Sequence, residues 1–415
     1  MLEFFFSFLF LVVILNWHLT IYWLSISFFM LLFTMYDGGE YLLKMIMILL
    51  SLWLTMMMIM SVSGSESSNE LILLFMFVMF SLFIVFYSKS VILFYIGFEM
   101  SVIPILLIIL GWGYQPDRLD AGMYMLMYTV GFSLPLLIGI FFMESLYVVS
   151  SFLSFIMFVI AFLVKFPMFG LHMWLPRAHV EAPVYGSMIL AGVMLKLGGY
   201  GVIKLSFKMG DLFMKYSEVL IIISVVGGVI LSMICFIQSD IKILIAYSSV
   251  VHMSIVICGV FMMREIGLNG SMYMMVGHGL CSSGLFCVLG VTYSRTLTRS
   301  MYMNSGMISI IPSCSMWWFL FCSSNLSFPP CLNLPGELSL FISLIGWNYF
   351  MFFILLFLGT LSSMYSIYLF SFSQHGGACS LFSFKMMNLN EMLLLMLHWV
   401  PLNLLMLDLS LLNLN

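Results

Sequence analysis

The stretch that decides the fold covers residues 165–201 and reads KFPMFGLHMWLPRAHVEAPVYGSMILAGVMLKLGGYG. It carries two lysines, two histidines, an arginine, a glutamate and three prolines, and long apolar runs lie on both sides of it. Lys165 closes one apolar run, and Pro167 must then break or kink the helix because proline has no N–H to donate. Lys196 lies in the middle of the next apolar run. The stretch therefore predicts a broken helix followed by a helix that carries a lone ammonium group.

The composition is that of a polytopic membrane protein. Of 415 residues, 63% are hydrophobic and 7% are charged, whereas soluble chains carry about 25% charged residues. The net charge of −3 excludes a nucleic-acid binder. The N-terminus, MLEFFFSFLFLVVIL, has an acid and no basic region, so we expect a first transmembrane helix and neither a cleavable signal nor a transit peptide. The eight cysteines form no CxxC pair and are interpreted as small buried hydrophobes.

Long apolar runs separated by short polar breaks predict the membrane spans. None of the breaks is long enough to hold a soluble domain. The fold class is therefore all-α, with about fourteen transmembrane helices, or thirteen if the first two short runs form one tilted helix. We place the spans at about 2–16, 18–36, 41–60, 71–88, 91–111, 121–143, 147–172, 183–207, 215–237, 242–262, 271–292, 309–346, 349–370 and 390–410.

Proline interrupts two of these spans. The seventh breaks at Pro167, and the twelfth breaks within SFPPCLNLPGE, where three prolines precede Glu337. Broken spans at matching places in two halves indicate inverted repeats, although two unrelated proline kinks remain an alternative. We therefore divide the chain into N-terminal helices, a first repeat of helices 4–8, a second, inverted repeat of helices 9–13 and a C-terminal helix, at residues 1–70, 71–207, 215–370 and 390–415.

Three charged side chains in the first predicted repeat need a physical explanation. A lysine at the centre of a spanning helix costs about 2.5–3.5 kcal/mol, so Lys165 and Lys196 either extend to the lipid headgroups or serve a function. Burial disfavours the charged form of a lysine and a nearby carboxylate favours it, so a small rearrangement can switch its charge. Glu99, in the middle of the fifth span, is the natural partner of Lys165. The two form either a static ion pair or a pair whose proton occupancy changes.

Four histidines are further candidates. His252 and His278 lie within spans ten and eleven, and because imidazole can pass protons through either nitrogen, we expect a relay in preference to static hydrogen bonding. His172 and His179 flank WLPRA, and a proline between them with no completing Cys or carboxylate disfavours a metal site. We expect these two to line a proton entrance. We predict no metal-binding and no cofactor-binding residues in this chain.

The quoted stretch closely resembles the signature of the antiporter-like membrane-arm subunits of mitochondrial NADH–ubiquinone oxidoreductase, respiratory complex I. DIKILIAYSSVVHM, MVGHGLCSSGLF and NLPGELSL resemble later motifs of that family, and FYIGFEMSVIPILLIILGWGYQPDRLDAGMYML resembles an earlier one. The resemblance covers about residues 85–345. Multi-subunit cation/proton antiporters share the Lys and His motifs. The GWGYQPDRL loop, together with Gly-Glu in place of a lysine in the twelfth span, favours the chain 4 family.

The resemblance implies a fourteen-helix, two-repeat fold with a hydrated central proton axis. Residues 1–60 look short for the family, so its first two or three helices are expected to be abbreviated. The axis residues that the resemblance implies are the fifth-span Glu99, the seventh-span Lys165 at the helix break, the eighth-span Lys196, the axis histidines His252 and His278, and the twelfth-span exit carboxylate Glu337.

The function that the resemblance implies is proton translocation across the inner mitochondrial membrane, coupled to electron transfer from NADH to ubiquinone. The chain would act as a translocase subunit without redox centres, and NADH, FMN, iron–sulfur clusters and ubiquinone would bind to other subunits. Met and Phe each number 41, a bias typical of organelle-encoded chains. Moving one charge against 100 mV costs about 2.3 kcal/mol, so partner subunits must supply the energy.

The partners that the resemblance implies are neighbouring membrane-arm subunits, the lipid bilayer and phospholipids such as cardiolipin, and no nucleic acid. Two other functions stay open at this point. One is a cation/proton antiporter module, which needs the same axis with sodium-linked flux. The other is a structural spacer in a membrane assembly, with an inactive axis.

Overall fold

The computed structural model describes residues 15–33, 40–64, 66–142, 152–377 and 385–414. Within these ranges the secondary structure is helical, apart from one isolated bridge between Asp240 and Ser300. The predicted first span, at 2–16, lies almost entirely outside the described residues. The predicted all-α fold class is therefore confirmed for the described part of the chain.

The described residues of the first half form ten α-helices and one π-helical segment. Before the first break lie α1 (Trp17–Leu32), α2 (Glu40–Ser61), α3 (Asn69–Tyr87), α4 (Val91–Met100), α5 (Val102–Trp112) and α6 (Arg118–Phe141). Around and after the break lie α7 (Phe152–Lys165), α8 (Trp174–Glu181), α9 (Val184–Ile189), the π segment (Leu190–Met194) and α10 (Leu195–Ser206).

The second half begins with two long helices and contains the second break. Its helices are α11 (Gly210–Cys235), α12 (Ile241–Phe261), α13 (Glu265–Thr296), α14 (Met307–Ile310), α15 (Pro312–Asn325), α16 (Asn333–Trp347), α17 (Met351–Gln374) and α18 (Leu389–Leu404). A short 3₁₀ turn follows α18 near the end of the chain.

Nine helical segments within the described ranges are long and apolar enough to cross a membrane. They correspond to α2, α3, α4 with α5, α6, α9 to α10, α11, α12, α13 and α17. The shorter α1 and α7 are also apolar. The predicted total of fourteen spans stays a prediction, because it includes broken helices and residues that are not described.

Many hydroxyl groups in the bundle form their hydrogen bonds locally. Ser68 and Ser90 accept hydrogen bonds from backbone N–H groups in the first turns of α3 and α4, and so act as N-caps. Asp240 caps α12 in the same way, 2.9 Å from the Lys242 nitrogen. Serines within the spans donate to carbonyls one turn back, as Ser81 does to Val78 at 2.7 Å. Such local bonds let a hydroxyl lie in an apolar environment without water.

The core of the bundle lies around α13, which is buried over most of its length and exposed at its ends. It contacts α12, α15, α16 and α18, and it also packs against α9 and the π segment. α12 and the α9–α10 span are nearly as buried, whereas only about a third of the residues of α6 and α17 are buried. The helices that carry the predicted axis residues Lys196, His252 and His278 are therefore the most enclosed in the fold.

Both predicted breaks are confirmed. α7 ends at Lys165 and α8 begins at Trp174, with Pro167 in the gap. α15 ends at Asn325 and α16 begins at Asn333, so the Pro329–Pro330 pair lies in the second gap. The structure adds an interruption that the sequence did not predict. The eighth span is not one continuous α-helix, because the π segment lies within it.

Close contact between α7 and α10 fixes the first break. A Cβ on Gly198 would lie 2.7 Å from the Phe166 nitrogen and 2.8 Å from the Phe162 carbonyl oxygen. These atoms belong to backbone and cannot swing aside. The residue after Lys165 is therefore held against the helix that carries Lys196, at a position where only glycine fits.

Candidate functional site

Lys196 lies directly after the π segment and is fully buried. Its Nζ donates to the Ala191 carbonyl oxygen at 2.5 Å and lies 3.1 Å from His278 Nδ1. Ala191 belongs to the π segment, in which the Leu195 N–H bonds to Leu190 five residues back. π segments often occur at functional sites. Here the wider turn supplies the carbonyl that holds the lysine amine beside the histidine.

His278 and His252 continue the chain of titratable groups from α13 to α12. Both side chains are buried, and their ring centroids are 5.6 Å apart. His252 Nδ1 lies 3.2 Å from Glu337 Oε1 on α16, which is within ion-pair distance but without the alignment of a hydrogen bond. Lys196, His278, His252 and Glu337 therefore follow one another across four helices, and we call this row the central chain.

One end of the central chain, at Glu337, is more exposed than the rest. Glu337 is 15% exposed, whereas His252 is 1% exposed and Lys196 is fully buried. Glu337 also lies just after the second break, where the chain interrupts its regular helix. The carboxylate is thus the member of the chain with access to its surroundings.

Lys165 and Glu99 lie at the first break, in an arrangement that differs from the predicted direct pair. Lys165 Nζ donates to the Phe98 carbonyl oxygen at 2.5 Å and lies 3.2 Å from the centre of the Phe98 ring. Glu99 and Lys165 interact electrostatically, but Glu99 Oε1 has no hydrogen-bond partner among the described residues. The ammonium is therefore held by the backbone and ring of the residue next to Glu99, and not by its carboxylate.

The lysines do not extend to the membrane surface. Lys165 is 2% exposed and Lys196 is fully buried, so the alternative of two lysines reaching lipid headgroups is wrong. No hydrogen bond or ion pair joins Lys165 to Lys196 in the part of the chain that the structure describes. The six predicted axis residues thus fall into two groups, Glu99 with Lys165 and the four members of the central chain.

The two predicted supporting histidines differ from each other. His172 lies in the first break, where its Nδ1 accepts from the Gly170 N–H at 3.3 Å and its ring stacks on Phe169. His179 is fully buried on α8 and stacks on Phe286 at 4.7 Å, and neither of its ring nitrogens has a partner among the described residues. His172 therefore stabilises the break loop, whereas His179 retains unused hydrogen-bonding capacity.

The described residues form neither a cluster of metal ligands nor a disulfide. Across the described ranges, no three His, Cys, Asp or Glu side chains cluster as metal ligands would. The seven described cysteines are buried and unbonded to one another, as the sequence predicts, and Cys379 lies outside the described residues.

Three features of the site were not found from the sequence. Tyr365, on α17, places its hydroxyl 3.2 Å from His252 Nε2. Phe98 supplies the ring over Lys165, and the π segment supplies the carbonyl for Lys196. The polar run Ser362-Ser363-Met364-Tyr365-Ser366 within an apolar span was a usable signal for the tyrosine. No comparable signal marks Phe98, since it is one of 41 phenylalanines in the chain.

Comparison with known proteins agrees with this geometry. The family described as NADH:quinone oxidoreductase/Mrp antiporter, TM, matches residues 88–363. NADH-ubiquinone oxidoreductase chain 4 of Aedes aegypti is 51% identical over 324 residues, which are 75% of this chain and 72% of that protein. The chain 4 protein of Ceratitis capitata is 49% identical over 334 residues, 78% and 75% of the two chains.

Solved structures share the fold. A chain of respiratory complex I from Thermus thermophilus with bound NADH superposes with a TM-score of 0.85 at 21% identity, over 95% of this chain and 94% of that one. A chain of the Mrp complex from Dietzia sp. DQ12-45-1b gives 0.77 at 19% identity, over 88% and 42%. Because the family match spans more than half of the sequence and the relatives are about half identical, the chain belongs to the NADH:quinone oxidoreductase/Mrp antiporter transmembrane family, in the branch of the NADH-ubiquinone oxidoreductase chain 4 proteins.

Proposed function

We propose that the chain is a core membrane-arm subunit of respiratory complex I and that it translocates protons across the inner mitochondrial membrane. Translocation is coupled to electron transfer from NADH to ubiquinone in the same complex. The observation that carries the proposal is the central chain, in which Lys196, His278, His252 and Glu337 follow one another. Buried ionisable side chains inside a membrane protein mark ion or proton pathways.

The chemistry of the central chain suits stepwise proton transfer. An amine beside a ring nitrogen, as for Lys196 and His278 at 3.1 Å, can exchange one proton along the shared contact. An imidazole takes a proton on one nitrogen and releases one from the other. A carboxylate at the far end accepts the proton, and the partial exposure of Glu337 gives it a way out. Each group is therefore of a type that both gains and loses a proton.

Glu99 and Lys165 have a different role in the proposal. No hydrogen bond or ion pair joins Lys165 to Lys196 among the described residues, so Lys165 would influence Lys196 through its charge. A change in charge at the first break alters the cost of keeping Lys196 protonated. Work delivered by neighbouring subunits at the first break thereby sets the protonation of the central chain. His172 and His179 line the region between the break and Lys196 and serve as supporting residues.

The proposal includes the predicted fourteen helices and two inverted repeats, 71–207 and 215–370. What supports the repeats is a shared pattern of contacts. In the first repeat, Lys165 at the broken helix contacts Phe98, which lies on the second helix of that repeat. In the second repeat, Glu337 next to the broken helix contacts His252, which also lies on the second helix of its repeat. Residues 1–70 and 390–415 then form the flanking N-terminal and C-terminal helices.

The relatives support a multi-pass mitochondrial membrane protein, and we propose the inner membrane and organelle encoding as its finer location. NADH, FMN, iron–sulfur clusters and ubiquinone bind to other subunits in this proposal. The exposed apolar faces of α6 and α17 then meet neighbouring membrane-arm subunits and phospholipids such as cardiolipin. The chain contributes to a proton-translocating NADH:ubiquinone reductase without redox chemistry of its own.

Two alternatives make different predictions. The matching family, whose description includes the Mrp antiporter, favours a cation/proton antiporter module as the second candidate. That function requires proton flux that depends on sodium. A structural spacer, the third candidate, would carry the same residues but no flux through them.

The test is Lys196→Met in the assembled complex, reconstituted in vesicles with proton uptake and quinone reduction recorded together. We expect at least about tenfold lower NADH-driven proton translocation, because loss of a buried charge-assisted hydrogen bond costs about 1.5–3 kcal/mol and 1.4 kcal/mol is about tenfold. Lys208→Met, the same change at an exposed position, is the matched control and leaves translocation unchanged. Normal translocation in Lys196→Met favours the spacer, and flux that depends on sodium favours the antiporter.

A further inference from the structure

Tyr365 is a buried tyrosine whose hydroxyl contacts the central chain from the side. It lies on α17, has no exposed surface, and its hydroxyl oxygen is 3.2 Å from His252 Nε2. Among the described residues it is the sole partner of that nitrogen. Only about a third of the α17 residues are buried, so the tyrosine contacts His252 from one of the less enclosed helices.

Both ring nitrogens of His252 have neighbours other than His278. Nδ1 faces Glu337 at 3.2 Å, and Nε2 faces Tyr365 at the same distance. The His252 and His278 rings lie 5.6 Å apart with their planes at 47°, and no hydrogen bond joins them within the described ranges. The central chain is therefore divided into a Lys196–His278 pair and a His252–Glu337 pair.

We propose that Tyr365 is a positioning residue that holds His252 toward Glu337 and keeps the two pairs separate. The inference rests on the proposed function. A proton crosses from His278 only when the His252 ring turns away from Tyr365 and presents Nε2 to His278. The hydrogen bond from Tyr365 thus sets how often a proton can pass from His278 to His252.

The proton balance of the crossing needs no group beyond these side chains. At rest, the Tyr365 hydroxyl donates to Nε2 of neutral His252, and the ring proton is on Nδ1, facing Glu337. After the ring turns, His252 Nε2 accepts one proton from His278, and His278 takes its replacement from the Lys196 ammonium, whose Nζ lies 3.1 Å from His278 Nδ1. His252 Nδ1 then releases its proton to the Glu337 carboxylate, so Lys196 ends neutral and Glu337 ends protonated. His252 returns neutral with its proton on Nε2. A tyrosine hydroxyl both donates and accepts, so it can hold this second tautomer as well.

Tyr365→Phe tests the hydroxyl while it keeps the ring that packs in the core. We expect normal assembly and near wild-type quinone reduction, but about tenfold higher passive proton leak under an imposed membrane potential, because one hydrogen bond no longer restrains the ring. Tyr200→Phe is the matched control. Tyr200 is equally buried, and its hydroxyl donates to the Phe86 carbonyl oxygen at 2.9 Å, away from His252. A leak equal to that of the control overturns the inference.

Double variants separate positioning from a merely structural effect. If Tyr365 acts through His252, adding Tyr365→Phe to His252→Gln raises the leak no further, and a further rise overturns the inference. Adding Lys196→Met to Tyr365→Phe abolishes the extra leak if protons enter at Lys196. Unchanged NADH-driven translocation in Lys196→Met alone contradicts the proposed function. If that variant is impaired but Tyr365→Phe does not leak, only the positioning role fails.

Discussion

The two broken helices hold their ionisable residues in contrasting ways. At the first break, Lys165 is enclosed and contacts the carbonyl and ring of Phe98. At the second break, Glu337 is partly exposed and lies 3.2 Å from an imidazole nitrogen of His252. A carbonyl oxygen and an aromatic face stabilise a cation but do not pass a proton on. An imidazole can carry the positive charge itself and can also pass the proton on.

Under the proposed function, this difference gives the two breaks separate tasks. The first break would hold a positive charge on Lys165 beside Glu99 and would influence the central chain through that charge. The second break would end the row of proton-exchanging groups and would act through the direct contact of Glu337 with His252. Variants at the two breaks should differ in the size and in the kind of their effects.

Glu337→Gln should give the largest effect, because it removes the carboxylate that both faces His252 and releases the proton. We expect NADH-driven proton translocation to fall about tenfold or more, from the loss of an interaction worth about 1.5–3 kcal/mol. Proton uptake by vesicles that contain the complex measures it. Glu265→Gln, at the exposed start of α13, is the control and should behave as wild type. Equal rates of proton translocation in Glu337→Gln and Glu265→Gln would show that the second break does not lie on the proton route.

Gly198→Ala should lower the thermal stability of the complex, and comparison with a glycine near the second break tests which break is more rigid. The new Cβ meets backbone atoms of Phe166 and Phe162 at 2.7–2.8 Å, and overpacking of this kind costs about 1–3 kcal/mol. Gly277→Ala, near the second break, meets mainly the movable side-chain oxygen of Asn333. The thermal unfolding temperature of the complex should fall clearly for Gly198→Ala and less for Gly277→Ala. The reverse order would show that the second break is the more rigid.

Glu99→Gln should have the smallest effect of the three. The carboxylate acts on Lys165 through space, and such an interaction contributes on the order of 1 kcal/mol. We expect turnover about fivefold lower with normal assembly, because the Lys165 ammonium loses a stabilising charge but keeps its bond to Phe98. Quinone reduction and the content of assembled subunit are the readouts. Wild-type turnover would exclude Glu99 from the mechanism.

Charge and proline made much of this arrangement predictable from sequence. An isolated Lys or Glu within an apolar run is rare because it is costly, so Lys196 and Glu337 stand out without any knowledge of the fold. Proline forbids a continuous helix, so Pro167 and the Pro329–Pro330 pair marked both breaks. The physical signal in each case is local, and a single sequence is enough to reveal it.

The remaining features depend on contacts between distant parts of the chain. Phe98 and Tyr365 are ordinary apolar and polar residues until packing brings one over an ammonium and the other beside an imidazole. The π segment depends on where one extra residue is accommodated in a helix, which neither composition nor periodicity encodes. The expected direct pairing of Glu99 with Lys165 overlooked the adjacent carbonyl as a competing partner for the ammonium.

The central claim is that Lys196 and Glu337 lie at two ends of one route, and a double variant tests it most directly. Proton translocation by the reconstituted complex is measured for Lys196→Met, for Glu337→Gln and for both together. If one route joins them, the double variant is about as slow as the slower single variant, because a route that is already blocked cannot be blocked again. If the two losses multiply, to about a hundredfold from two tenfold effects, the residues act independently and the central chain is not a single proton path.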